Sequence, residues 1–583
     1  MASRRDGPLI VQSDRTVLLD VHHPAADDTR ERLAQFAELV KSPDNLHTYC
    51  ISPLSLWNAA AAGLFFEDVV SFLDEFSMFP IPKKISHDIE EVMGRFGKLL
   101  MRRENGELVL SVTPELWEDV SQLKTIAEYI VETNDIGHEL IISEDARGEL
   151  KRNLVRAGYP VEDIAGYVEG DAMQFSLVDT LPGGKDFVLR PYQNAAAAAF
   201  YQDGDRRGGN GVVVLPCGAG KTIMAMAAMN LYQTKTLILT NSTTAVRQWV
   251  RELKEKTNLP HSEIAEYSAE VKEIAPVTVS TYQMITYRAV KDGSFPHFDN
   301  FMKVNWGLVI YDEVHLLPAP VFRMTAELQA RRRLGLTATL VREDGREDEV
   351  FSLIGPKRYD MPWRRLEGQG FIAEARCIEM RVPFGKDDAL HYEHAGLRER
   401  YRLAAENPFK LKALDALLKR HAEDRVLIIG MYLKQLAQIR AMTGIEIITS
   451  KTSQTDRERL YSAFREGRIT QLIVSKVANF AVDLPDANIA IQVSGTFGSR
   501  QEEAQRLGRV LRPKSHEKKT IFYTLVTDDT REMIFAANRQ MFLTEQGYHY
   551  EVKQAKGEFP RMDWSSSEKL RATVLKNMEK PEA

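Results

Sequence analysis

Val212–Ile223 reads VVVLPCGAGKTI. A β-branched run, Val212–Leu215, empties into Pro216, Cys217, Gly218, Ala219 and Gly220, and Lys221-Thr222 then open a stretch of helix formers. Small residues let consecutive backbone N–H groups curl around phosphate oxygens, and the N-terminus of the following helix adds a favourable dipole. In this reading Lys221 reaches the β- and γ-phosphates and the Thr222 hydroxyl ligates Mg2+. The strict eight-residue form of this loop wants glycine at 215, where the chain has leucine; the strand–loop–helix context compensates.

The same rhythm spreads outward. GVVVLP, KTLILT, VTVSTY, WGLVIYDEVH and RLGLTAT are short β-rich apolar runs separated by helical stretches, and after Arg364 the pattern restarts with VLIIGMY, IEIITS, TQLIVSK, NIAIQVS and KTIFYTLV. Strands alternating with helices predict parallel sheets covered on both faces. The expected fold class is α/β: two parallel-sheet domains in tandem, over 184–365 and 366–545, behind an N-terminal α+β accessory region.

Two further stretches carry chemistry. GLVIYDEVHLL ends an apolar strand in Asp312-Glu313, and carboxylates at a strand's C-terminal edge point at the ligand crevice of such a sheet. Asp312 is expected to hold Mg2+, mainly through water, Glu313 to accept the proton of an attacking water, and His315 to face the interface with the next domain. In QEEAQRLGRVLRP, helical spacing puts Gln505, Arg509 and Arg512 on one face at i, i+4 and i+7. An arginine delivered across a cleft stabilises a phosphoryl transition state.

Composition sets outer bounds. The 583 residues give a prior of roughly four domains. A net charge of −6 announces no global nucleic-acid binder, so any basic surface must be local. The three cysteines, Cys50, Cys217 and Cys377, are far apart and form no CxxC pair, which argues against a disulfide framework or zinc site and fits a reducing interior. Neither WNAAAAGLFF nor NAAAAAFY approaches the ~20 apolar residues of a membrane span, and the first residues do not read as a secretory signal. The expectation is a soluble intracellular protein with no membrane partner.

Residues 1–110 read as a strand pair (LIVQSDRTVLLDV), three helices (from SPLSLWNAAAAG, FEDVVSFLDEFS and SHDIEEVMGRFGKLLMRR) and a hairpin around Glu104-Asn105-Gly106. That order suits a winged helix or a packing and partner-docking module. Residues 111–183, with strands at LVLSV, LIISED and DAMQFSLV, suit a small α+β domain. Residues 383–410 separate the α/β halves as either a gripping insertion or a plain helix pair, and 546–583 read as a charged tail.

DEVH after a GAGKT loop resembles superfamily 2 helicases and translocases, built on two RecA-like domains. VLRPYQNAAAAAF resembles their adenine-contacting motif, with Gln193 as the reading amide. LILTNSTTAVRQW and VTVSTYQMI resemble the segments that grip the nucleic-acid backbone, which implies contacts from Thr240, Ser242 and Thr281, with Ser475 and Lys476 from the second domain. Trp249 could stack on a base. LTATL (Thr337, Ala338, Thr339) resembles the coupling motif. VSKVANFAVDLPDANIAIQ resembles the motif whose Asp483 sits near the nucleotide, and Gln505, Arg506, Gly508, Arg509 and Arg512 match the arginine-finger motif.

Arg342-Glu343-Asp344 directly after Thr-Ala-Thr resembles the RED element of XPB-type (xeroderma pigmentosum group B-like) helicases. LIVQSDRTVLLDVHHP, SPLSLWNAAAAG and the thumb-like position of 383–410 extend the resemblance over most of the chain. It implies a 3′–5′ DNA helicase using ATP and Mg2+ in DNA repair, in a prokaryotic cytoplasm at the nucleoid, with a nuclease or repair factor as possible partner. The RED residues either press between DNA strands or form an internal Arg–carboxylate pair. A duplex pump, an RNA helicase and an ATP-switched scaffold stay open as alternatives.

Overall fold

Valine and isoleucine stiffen the chain into extended segments that must be covered on both faces when they pair in parallel. The computed structural model, which describes residues 5–42, 45–165, 169–205, 207–216, 218–288, 295–317, 324, 328, 330–338, 347–371, 375–475, 487–495, 520–545 and 550–555, has two such sheets. They lie in separate compact units, the first taking in Met1–Pro216 and Gly220–Met361 and the second Cys217–Ala219 and Pro362–Ala583.

The first unit opens with an antiparallel sheet of β1 (Leu9–Val11), β2 (Thr16–Asp20), β3 (Glu38–Lys41) and β4 (Leu46–Cys50), in the order β1-β2-β4-β3. The expected strand pair is β1–β2. The expected helices span Pro53–Ala61, Phe66–Phe76 and Lys83–Gly94. The first starts where Ser52 and Ser55 exchange side-chain-to-backbone hydrogen bonds, both 3.0 Å, and it is anchored by Trp57, whose indole N–H donates to the Val92 carbonyl at 2.9 Å.

The hairpin read as a wing pairs elsewhere. Its strands β5 (Leu99–Glu104) and β6 (Glu107–Val112) join β7 (Ile130–Asn134), β8 (Glu139–Ile142) and β9 (Val161–Asp163) in a five-stranded sheet ordered β7-β8-β6-β5-β9. Alternate hairpin residues (Leu99, Met101, Leu108, Leu110) need an apolar layer, and Trp117, Val120, Leu150 and Leu154 supply it in one buried core. Arg147 and Lys151 close this module on Asp163 at 2.6 and 2.9 Å. Burial favours the protonated acid, but the two cations outweigh it and hold the carboxyl far below its usual range. DAMQFSLV, expected as a strand, makes only isolated bridges at Ala172 and Leu177. Its backbone bonds are met instead by the Gln233 side chain, through Phe175, and by the Lys256 carbonyl at the end of a helix, through Val178.

The first parallel sheet consists of β10 (Asn210–Val214), β11 (Thr236–Thr240), β12 (Ile264–Tyr267), β13 (Val277–Thr281), β14 (Leu308–Asp312), β15 (Arg332–Thr337) and β16 (Lys357–Asp360), ordered β12-β13-β11-β14-β15-β10-β16. The second consists of β17 (Ala375–Val382), β18 (Val426–Gly430), β19 (Ile447–Ile448), β20 (Gln471–Ser475), β21 (Ile489–Gln492), β22 (Thr520–Thr527) and β23 (Tyr550–Gln554), ordered β19-β20-β18-β21-β22-β17-β23. Numbered within its own sheet, each reads 3-4-2-5-6-1-7 with every pair parallel. The tandem repeat expected from the rhythm is therefore a repeat of topology strand for strand. Strand β23 falls inside the stretch read as a charged tail, because its partner β17 lies far back in the chain.

Residues 383–410 hold the helices Lys386–His394 and Leu397–Ala405 and the start of Pro408–Arg420. The N-terminal modules are fastened to the first parallel sheet: Lys357 N–H on β16 donates to Asn58 Oδ1 at 2.8 Å, Trp57 packs on Phe351, and Arg156 pairs with Asp348 at 2.8 Å. Among the described residues no single helix is long and apolar enough to cross a membrane.

Candidate nucleotide site

Strand β10 delivers the phosphate-type loop at its C-terminal end. Leu215 is fully buried and its N–H donates to the Thr337 carbonyl at 2.9 Å. Position 215 thus still belongs to the sheet, and a leucine there costs the loop nothing. Gly218 and Gly220 have φ of +83° and +81°, values that L side chains rarely adopt. A Cβ on Gly220 would meet the Gln193 amide nitrogen at 2.5 Å. Gly220 then caps the helix Lys221–Tyr232 without a side-chain hydrogen bond, so the positive end of that helix opens on the loop. Ala219 is buried, Thr222 half-buried, and Cys217 lies outside the described residues.

Opposite the loop, β14 ends in the acidic pair. Lys221 Nζ lies 3.2 Å from Glu313 Oε1. Glu313 has a left-handed φ of +53°, a strained choice for a non-glycine residue of the kind that collects at functional sites. His315 is buried, with Nδ1 2.7 Å from Thr337 Oγ1 and 3.5 Å from Glu313 Oε2. Asp312 is held twice: the Trp249 indole N–H donates to its Oδ2 at 2.9 Å, and the Tyr282 hydroxyl donates to its backbone carbonyl at 2.7 Å. Burial, and then the neighbouring Glu313 charge, push the Asp312 carboxyl up to about 6. Burial also raises the Tyr282 phenol well above its ordinary value, which keeps it a hydrogen-bond donor.

Gln193 is buried on the helix Pro191–Tyr201, where its Oε1 accepts from Arg190 N–H at 2.9 Å while its amide nitrogen faces Gly220. The site therefore gathers Gln193, Gly218, Gly220, Lys221, Asp312 and Glu313 at the C-terminal edge of one sheet. Hard oxygen donors from Thr222 and Asp312 suit Mg2+. Among the described residues no group of three or more His, Cys, Asp and Glu could hold a metal.

The expected backbone-gripping residues are placed less simply. Thr240 is fully buried and its hydroxyl donates to the Ser242 and Ser280 carbonyls at 3.2 and 3.4 Å. Ser242 caps the helix Thr243–Lys256, accepting from Ala245 N–H at 3.3 Å, and buried Thr281 caps Tyr282–Ile285. Ser475 is buried at the end of β20. Thr339, Arg342, Glu343, Asp344, Lys476, Asp483, Gln505, Arg506, Gly508, Arg509 and Arg512 lie outside the described residues. Sequence reasoning missed Trp249 and Tyr282 as holders of Asp312. A signal existed: Val246, Trp249 and Leu253 recur at i, i+3 and i+7, the inward face of a helix, which does not suit an exposed base-stacker.

Comparison with known proteins fits this geometry. Residues 366–580 match the ERCC3/RAD25/XPB C-terminal helicase family, 186–342 the type III restriction enzyme res subunit family, and 9–135 the helicase conserved C-terminal domain family. A Kineococcus radiotolerans protein named DNA 3′-5′ helicase XPB is 49% identical over 552 residues, 94% of this chain and 97% of the relative. The chain belongs to the XPB helicase family. A Mycobacterium tuberculosis protein of the same name is also 49% identical, over 94% of this chain and 98% of its own. The similarity extends to the XPB subunit of an Antonospora locustae general transcription and DNA repair factor IIH, a helicase/translocase by name, at 31% identity over 97% of this chain and 85% of that protein. As in other XPB-family members, the two parallel-sheet units are RecA-like motor domains and the nucleotide is ATP.

Proposed function

We propose that this XPB-family chain is a DNA 3′–5′ helicase that couples ATP hydrolysis to movement along one strand and to duplex opening in DNA repair. The observation that carries the reading is the meeting of Lys221 with Glu313 beside Asp312. Lys221 exchanges Glu313 for the β- and γ-phosphate oxygens, Glu313 takes the proton of the attacking water, and Gln193 reads the adenine. Thr222 and Asp312 hold Mg2+, which when bound neutralises phosphate charge. Arg509 and Arg512, with Gln505 and Asp483, are assigned to act on the same nucleotide, the arginines on the charge that develops at the transferred phosphoryl group. Ser242 and Lys476 contact the strand, with the buried Thr240, Thr281 and Ser475 supporting the loops behind that contact, and Arg342, Glu343 and Asp344 act where strands part.

We assign residues 1–110 and 111–183 to accessory modules, the second a damage-recognition-like one, 184–365 and 366–545 to the motor domains, and 546–583 to a tail whose start joins the second sheet. A repair nuclease or related factor is the partner class, and the cytoplasm, at the nucleoid, the location. Hydrolysis and strand displacement are compared on 3′-tailed, 5′-tailed and blunt DNA duplexes and on RNA. Displacement of 3′-tailed DNA with DNA-stimulated hydrolysis is expected. Stimulation without displacement would make the chain a duplex pump, and a preference for RNA would overturn the substrate assignment.

A further inference from the structure

Asp312 is fixed by side chains from two other elements. Trp249, 2% exposed, comes from the helix that follows β11, and Tyr282, 3% exposed, from the turn that follows β13. The sheet order there is β13-β11-β14, so β11 adjoins β14 directly and β13 lies one strand further out. One element therefore reaches the carboxylate, through a rigid donor-only indole, and the other reaches the main chain of the same residue. A carboxylate on a single bond to Cα–Cβ turns freely unless something stops it. Here Lys221 stands close enough to act on Asp312 electrostatically while pairing with Glu313 at 3.2 Å. Without the indole bond, Asp312 competes with Glu313 for that ammonium and leaves the orientation a hydrated cation needs.

We infer that Trp249 and Tyr282 are positioning residues for ATP hydrolysis: they hold the Asp312 carboxylate in the orientation that serves a nucleotide-bound divalent cation, and they tie that orientation to the two elements capped by Ser242 and Thr281. The inference rests on the reading of Asp312 as the cation-holding residue of the proposed site. Motion of either capped element is transmitted to Asp312 through one buried hydrogen bond, and DNA seated on those elements acts on hydrolysis by this route.

The test uses the full chain with Trp249→Phe and Tyr282→Phe, which keep a ring and remove only the donor. Each is expected to lower kcat for DNA-stimulated hydrolysis by about tenfold, the middle of the range for coupled sites, with KM for ATP unchanged within about twofold. Mn2+ binding in the presence of a non-hydrolysable ATP analogue, read by electron paramagnetic resonance, weakens by a similar factor while melting temperature stays within a few degrees of the parent. Unchanged kcat and Mn2+ affinity in both variants would overturn the inference, as would a loss of activity matched by an equal loss of folded protein. Should Trp249→Phe fail to fold, Tyr282→Phe carries the same expectations. Asp312→Asn separates the two levels: if it binds Mn2+ as tightly as the parent, the site assignment itself fails, whereas lost binding there with normal binding in both ring variants sinks the positioning role alone.

Discussion

The Lys221 ammonium and the Glu313 carboxylate are 3.2 Å apart and both largely buried. On the proposed assignment a triphosphate that took the lysine would break this pair and release Glu313 to act as base. Glu313→Gln is expected to lower kcat by about 10²–10⁴-fold with ATP affinity retained. Lys221→Ala is expected to abolish DNA-stimulated hydrolysis. Undiminished turnover in either variant contradicts the assignment.

Gly220→Ala places a methyl 2.5 Å from the Gln193 amide at a φ of +81°. The backbone strain costs about 1–3 kcal/mol, and the loop opens to relieve it. ATP affinity should fall at least tenfold in equilibrium binding, with the circular-dichroism spectrum unchanged. An alanine variant that binds ATP normally would show that the cradle does not depend on this glycine.

Asp163 predicts a pH effect outside the nucleotide site. Its carboxyl is held well below the ordinary range, so its contribution to stability is complete above the unfolded-state value near ~4 and is lost as pH falls through the lower folded-state value. Asp163→Asn leaves Arg147 and Lys151 without their counter-charge and should destabilise by about 3 kcal/mol at neutral pH. Its acid limb should be flatter than the parent's in urea unfolding between pH 5 and 2 or so. Parallel limbs in the two proteins would refute the assignment.

Replacing Arg342, Glu343 and Asp344 together by alanine should spare hydrolysis and cut unwinding, measured on a 3′-tailed duplex. Unwinding at the parental rate would remove strand separation from these residues.

Arg509→Ala should slow hydrolysis more than it weakens nucleotide binding. An equal loss of both argues against an arginine delivered to the transition state.

Much of the motor was legible because its signals are local. Val212–Val214, the glycines at 218 and 220, and Asp312-Glu313 each declare themselves within a few residues, and all take the places expected of them in the sheet. What escaped depended on partners distant in sequence. Tyr550–Gln554 is an edge strand with two charged residues, and its pairing with Cys377–Arg381 has no trace in either stretch alone. The hairpin Leu99–Val112 was read correctly as a hairpin, yet its wider pairing depends on Val161–Asp163 and Glu139–Ile142. Trp249 had an ambiguous side chain, and only the strand order brings it to Asp312.

Strand β16 is the outermost member of its sheet, and its free side is met by Asn58 and the surroundings of Trp57. A shortened protein beginning at the first motor domain would present that border bare, with Phe351 uncovered beside it. Exposed strand borders recruit further strands, so such a fragment should clump in solution even with every ATP-handling residue intact. On that expectation the front of the chain serves as a cover for the border of the sheet it packs on.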